Sequence, residues 1–210
     1  MPSLPALLPS VARLAMVPAF GAALLPAAAG TLQVQVTDAA GKPLAGAVVF
    51  AESPEARAAL KPAAGVAIVQ RHKQFEPQVT VVPVGTAVSF PNEDTVRHHV
   101  YSFSPTKKFE IKLYVGTPAA PVVFDRPGIA VLGCNIHDQM AAWVVVLDTP
   151  HVGRSGADGQ ATLAGVPAGA YRLRAWHPEL PPGAPAAEQA VTVAAAGAPQ
   201  RAQFRLGGGS

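Results

Sequence analysis

Cysteine is nearly absent: Cys134 is the only one in the chain. A single thiol cannot close an internal disulfide, so stability has to come from a packed core, and 210 residues are enough to build one. Charge is scarce too. Asp, Glu, Lys and Arg make up 14% of the residues, no basic run exceeds Lys107-Lys108, and aromatic residues are not interleaved with basic ones. These absences exclude a nucleic-acid platform from the expectations. An apolar run long and unbroken enough for a good membrane span is also missing. Alanine is plentiful, but proline interrupts nearly every Ala-rich stretch, which counts against long helices.

What the chain has instead is punctuation, with 22 Pro and 19 Gly. Short apolar runs alternate with turn signals such as Asp38 to Pro43, Pro83-Val84-Gly85, Gly116-Thr117-Pro118 and Pro127-Gly128. The runs predict strands at Thr31–Val36, Leu44–Phe50, Val79–Val82, Ala87–Phe90, His99–Phe103, Glu110–Tyr114, Val122–Phe124, Ile129–Leu132 and Ala142–Leu147. After Pro150, strands are expected at Ala161–Leu163, Tyr171–Trp176, Ala190–Val193 and Gln203–Leu206. Glu52 to Ala64 reads as a short helix or a linker. The fold class is therefore all-β, a sandwich or barrel.

The first residues read as a targeting segment. Arg13 precedes an apolar stretch, Leu14 to Leu25, and Ala27 and Ala29 meet a small-x-small cleavage rule. Residues 1–29 are expected to be a cleavable signal peptide, with an uncleaved interfacial anchor as the alternative. The expected location is the periplasm, with no stable membrane span after cleavage. An exported lone thiol needs protection from oxidation, and metal ligation is one way to provide it.

Cys134 opens the tract Cys134-Asn135-Ile136-His137-Asp138-Gln139-Met140, a C-x-x-H-x-x-M loop between two strand candidates. Thiolate, imidazole and thioether within seven residues suit a soft, redox-active metal. Zinc is disfavoured because Met is a poor zinc ligand, and iron–sulfur clusters need several thiolates. The competing reading of Met140 is a packed core residue. A second histidine is required, and His98 and His99 stand before an alternating strand. His72, His151 and His177 lack ligand-like spacing. Glu93 and Asp94 are adjacent carboxylates whose expected role is turn solvation. Tyr101 and Phe103 are expected to pack near the metal-bearing fold rather than line a groove.

The order Phe75-Glu76-Pro77, then Gly85-Thr86-Ala87-Val88-Ser89-Phe90-Pro91-Asn92-Glu93-Asp94, then His98-His99-Val100, then the Cys134 loop resembles the cupredoxin frame of plastocyanin- and amicyanin-like proteins. The whole chain looks like the bacterial plastocyanin-like proteins labelled as methylamine-utilisation proteins. The likeness covers residues 65–148 and implies a Greek-key β-sandwich holding one copper ion that cycles between Cu(I) and Cu(II). It implies the ligands His98, Cys134, His137 and Met140, with His98 favoured by the first place of H-x-V and His99 as its rival. His99 departs from the Asn that many such proteins carry, and Asp138 stands where an apolar residue or Pro is common. Residues 30–64 and 149–207 resemble the front and back of a carboxypeptidase-regulatory-like, transthyretin-like β-sandwich into which the copper segment is inserted or to which it is joined. Residues 208–210 are expected to be a flexible tail.

The implied function is electron transfer to or from a redox partner, a dehydrogenase or a cytochrome, with no enzymatic turnover. The alternatives are a copper carrier or storage protein without redox turnover, and a structural or adhesion β-sandwich. Oligomeric state is left open.

Overall fold

The computed structural model describes residues 29–195 and 197–207. The targeting segment up to residue 28 and the tail from 208 lie outside the described residues. Seventeen strands and one short helix follow in order: β1 (Ala29–Thr37), β2 (Val48–Glu52), α1 (Pro54–Ala58), β3 (Val66–Ala67), β4 (Val69–Arg71), β5 (Gln74–Glu76), β6 (Val79–Pro83), β7 (Thr86–Ser89), β8 (His98–Ser104), β9 (Lys107–Tyr114), β10 (Val122–Phe124), β11 (Gly128–Gly133), β12 (Ala141–Leu147), β13 (Val152–Arg154), β14 (Gln160–Pro167), β15 (Gly169–Trp176), β16 (Ala187–Val193) and β17 (Gln200–Arg205). The all-β expectation holds. Among the described residues, no helix is long and apolar enough to cross a membrane.

The first and last parts of the chain build one pair of sheets. β1 runs antiparallel to β14 and parallel to β17, and the other sheet has the order β13-β2-β15-β16. Alternation drives this pairing: Leu32, Val34 and Val36 on β1 are fully buried while their neighbours are not. They meet Val49, Ala51, Leu163, Leu173 and Phe204 in a core drawn wholly from residues on either side of the middle segment.

Residues 66–147 build their own sheets. Five strands run in the order β6-β12-β11-β8-β9, with β6 and β12 parallel and the rest antiparallel. A three-stranded sheet β10-β7-β3 and a hairpin β4–β5 complete the segment. Its core contains Ile68, Phe75, Val88, Phe90, Phe124 and Leu132, together with Cys134 and Met140. A third apolar cluster joins the two parts: Val48, Phe50 and Trp176 pack on Val145 and Leu147. The Trp143 and Trp176 rings lie 6.3 Å apart across that contact.

Several local expectations are corrected. The predicted strand at Leu44–Phe50 begins only at Val48, because Gly46 takes a left-handed φ of 81° and turns the preceding residues. The segment after Glu52 is helical only over α1, which Ser53 caps by accepting the Ala56 N–H at 3.1 Å. The β4–β5 hairpin was not predicted. Its turn places His72 and Lys73 at φ of 54° and 56°, without the Asn-Gly or Asp-Gly pair that announces such turns.

Candidate metal centre

Three elements converge at one end of the five-stranded sheet. β11 ends at Gly133, and the loop from Cys134 to Met140 leads into β12. That loop is a tight turn, since the Met140 N–H donates to the His137 carbonyl at 2.9 Å. β8 begins at His98, which pairs with Tyr114 of β9 across a register shift before Val100.

These elements bring His98, Cys134 and His137 together, with one ligand atom from each lying within 4.8 Å of the others. His98 is fully buried, Cys134 is buried and His137 is half-buried. The two imidazoles stand edge to face, 5.0 Å between centroids. Nδ1 of His98 and Nδ1 of His137 are both buried without a hydrogen-bond partner. A buried ring nitrogen without a partner is costly, and a pair of them beside a thiol is a donor set waiting for a Lewis acid. Two imidazole nitrogens and one sulfur fit a soft metal such as copper. Met140 is buried in the same apolar cluster as Cys134.

His99 takes the other side of β8. Its Nε2 lies 3.1 Å from Oε1 of Glu110, and its ring stacks toward Tyr101 at 5.6 Å. Both of its ring nitrogens are buried without a hydrogen bond, the Glu110 contact being poorly aligned for one. The candidate ligand group includes His98 and not His99.

Asp94, expected to be a solvated turn residue, instead faces the site. Its Oδ2 lies 2.7 Å from Nε2 of His98. The carboxylate also accepts the backbone N–H of His72 at 2.7 Å and of Lys73 at 2.9 Å. Asn92 ties the same loop together: its Oδ1 accepts the Asp94 N–H, and its side-chain amide donates to the carbonyls of Val96 and Tyr114. Partial burial pushes the Asp94 carboxyl up, but the Lys73 N–H, the His98 ring and the His72 N–H outweigh it and hold the group below the usual carboxylate value.

Tyr114 closes the inner side. Its hydroxyl donates to the Phe90 carbonyl at 2.6 Å, and the Gln70 amide donates to the same phenol oxygen. Burial pushes the Tyr114 phenol up to about 12, with the Gln70 hydrogen bond opposing and the nearby Cys134 adding to the rise, so it stays protonated. Leu113 and Val115, which flank the Tyr114 paired with His98, are exposed, as are Val96 and Ile136, the latter beside His137 in the chain.

A cleft of about 930 Å³ is lined by residues of both parts of the molecule, Cys134, Met140 and Trp143 from one and Phe50 and Trp176 from the other. Tyr101 and Phe103 line it, contrary to expectation, and Phe103 is 75% exposed. Phe103 sits near the end of β8, beside the turn into β9. His177, which lacks ligand-like spacing, is held in a turn: Nε2 pairs with the Ala45 carbonyl at 3.1 Å and Nδ1 accepts the Glu179 N–H at 3.2 Å.

No protein-family model matches the chain, and no curated protein matches it. Solved structures do. A purple cupredoxin from Nitrosopumilus maritimus matches 40% of this chain over its own full length, at 22% identity and a TM-score of 0.35. A reduced amicyanin variant matches 48% of this chain and 98% of its own, at 22% identity and a TM-score of 0.37. A copper-containing nitrite reductase from Thermus scotoductus SA-01 matches 53% of this chain, at 23% identity and a TM-score of 0.37, but only 28% of its own length. The structures similar to this chain are thus cupredoxins, each at low identity and over about half of the chain.

Proposed function

We propose that this chain is an exported single-copper protein of the blue-copper type that carries electrons to or from a redox partner. The observation that carries the reading is the convergence of two unpartnered, buried imidazole nitrogens, on His98 and His137, with the thiol of Cys134. Met140, buried beside Cys134, would be a fourth donor to the ion, and a donor set of two imidazoles, a thiolate and a thioether suits an electron carrier. Copper held there would supply a one-electron couple.

The chain's own residues supply the rest. His98 and Cys134 are buried, so the surrounding packing would hold their donor atoms in place in either oxidation state of the ion. His137 reaches the surface and is the electron port. The exposed apolar side chains of Val96, Leu113, Val115 and Ile136 are candidates for the surface on which a dehydrogenase or cytochrome would dock. The sheets built from the two ends of the chain are read as one carboxypeptidase-regulatory-like module carrying the copper segment as an insertion.

The test is a Cu(II) titration of the purified protein followed by its visible spectrum. Intense thiolate-to-copper charge-transfer absorption is expected, absent in Cys134→Ala and lost or shifted in His98→Ala but not in His99→Ala. A colourless protein that binds only Cu(I) would replace the electron carrier with a copper carrier. Binding that survives Cys134→Ala unchanged would overturn the site.

A further inference from the structure

The buried ligand candidate His98 has two ring nitrogens, and only one of them can face a metal. Neutral imidazole carries its proton on one nitrogen and a lone pair on the other. If the proton sat on Nδ1, the nitrogen that Asp94 leaves without a partner would be closed to any Lewis acid. With the ring fully enclosed, solvent cannot choose between the two forms.

We infer that Asp94 is the positioning residue of this centre: its carboxylate keeps the His98 proton on Nε2, and the β4–β5 turn keeps the carboxylate in place. Three contacts carry the inference. Oδ2 of Asp94 lies 2.7 Å from Nε2, and a carboxylate can only accept there. Nδ1, the other ring nitrogen, is left buried and unpartnered. The carboxylate itself cannot swing away, because the N–H groups of His72 and Lys73 hold Oδ1 and Oδ2 separately. Those two N–H groups converge because both residues adopt the left-handed conformation, which non-glycine residues seldom take. A backbone turn more than twenty residues upstream thereby fixes the tautomer of a ligand ring. Where metal-ligating histidines are held this way, losing the outer partner costs about ten- to hundredfold in metal affinity.

The inference rests on the proposed copper site for its purpose but not for its test. Asp94→Ala is the informative change. Oδ2 faces both the Lys73 N–H and the ring Nε2–H, so an amide oxygen in that place could still accept from the ring, whereas alanine removes the acceptor altogether. Nitrogen NMR of the metal-free protein, above the ordinary histidine pKa, reads the tautomer directly. In the wild type, His98 is expected to carry its proton on Nε2, exchanging slowly with solvent. In Asp94→Ala the Nε2 proton loses its acceptor, so the Nδ1–H form gains population while the His137 ring signals hold, and copper affinity falls about ten- to hundredfold. A wild-type proton on Nδ1, or fast exchange at Nε2, overturns the inference without any variant. An unchanged tautomer and affinity in a folded Asp94→Ala overturn it as well. If the tautomer follows Asp94 but neither protein binds copper, the positioning role stands and the copper reading falls.

Discussion

Replacing Gly133 with alanine tests how the loop that bears Cys134 is seated. Gly133 is the rung by which β11 pairs with β8, opposite Tyr101, and it directly precedes the thiol. It does not occupy the left-handed region, so an alanine there meets no backbone objection. The objection is spatial. A Cβ on Gly133 would stand 2.7 Å from both Cζ and the hydroxyl oxygen of Tyr101 and 3.2 Å from its Cε1. The ring has to leave. It now stacks on His99 at 5.6 Å and on Phe103 at 5.1 Å, and each such contact is worth about 0.5–1.5 kcal/mol. Losing both gives about 1–3 kcal/mol, the range in which overpacked cores fall. Urea unfolding of the metal-free protein measures it. Gly133→Ala should lower stability by about 1–3 kcal/mol, and the same change made on a Tyr101→Ala background should cost little, because the obstructing ring is gone. A cost that persists on that background would refute the reasoning and place the strain in the backbone.

Gly159→Ala should be harsher. Its Cβ would meet the Val36 carbonyl oxygen and sit 3.2 Å from Cα of Pro43, at a φ of 75°, so a loss of at least about 2 kcal/mol is expected by thermal unfolding. Leu173→Ala, in the core shared by the two ends of the chain, should cost about 2–5 kcal/mol in urea yet leave the copper absorption unchanged. Burial lowers the pKa of His151 from its ordinary 6.5, so the unfolded chain takes up a proton more readily than the folded one. Its contribution to stability is therefore complete above 6.5 and declines as pH falls through that value toward the folded pKa, and His151→Gln should flatten this part of the stability–pH profile.

The parts legible in the sequence were those written locally. Strand periodicity located β6, β10 and β12 closely, because their alternation and bounding turns lie within a few residues. The C-x-x-H-x-x-M tract announced Cys134 and His137 because a tight loop keeps sequence neighbours as spatial neighbours. His98 needed a frame of ordered motifs. Its separation from His99 became geometric only at the start of β8, where the register shift leaves residues 98 to 100 all buried. Asp94 was read as a solvated turn residue because its meaning depends on backbone N–H groups at positions 72 and 73, and nothing in the side chains His72-Lys73 signals a left-handed turn. Phe103 was expected to pack because large apolar residues usually do, and strand alternation alone does not tell which face remains open.

The parallel pairing of β1 with β17 sets how the molecule bears load. Six rungs, Leu32 with Gln200 through Thr37 with Arg205, join the first described strand to the last. Tension applied at the start of one and the end of the other slides the two strands past each other and strains all six rungs at once, instead of unzipping them singly. The middle segment, residues 66–147, leaves and rejoins the neighbouring sheet, not this clamp, through paired strands, Phe50 of β2 lying opposite Val152 of β13. It hangs beside the line of force as a closed loop, so a tether pulling on the two ends would strain the β1–β17 clamp while leaving the geometry around His98, Cys134 and His137 slack.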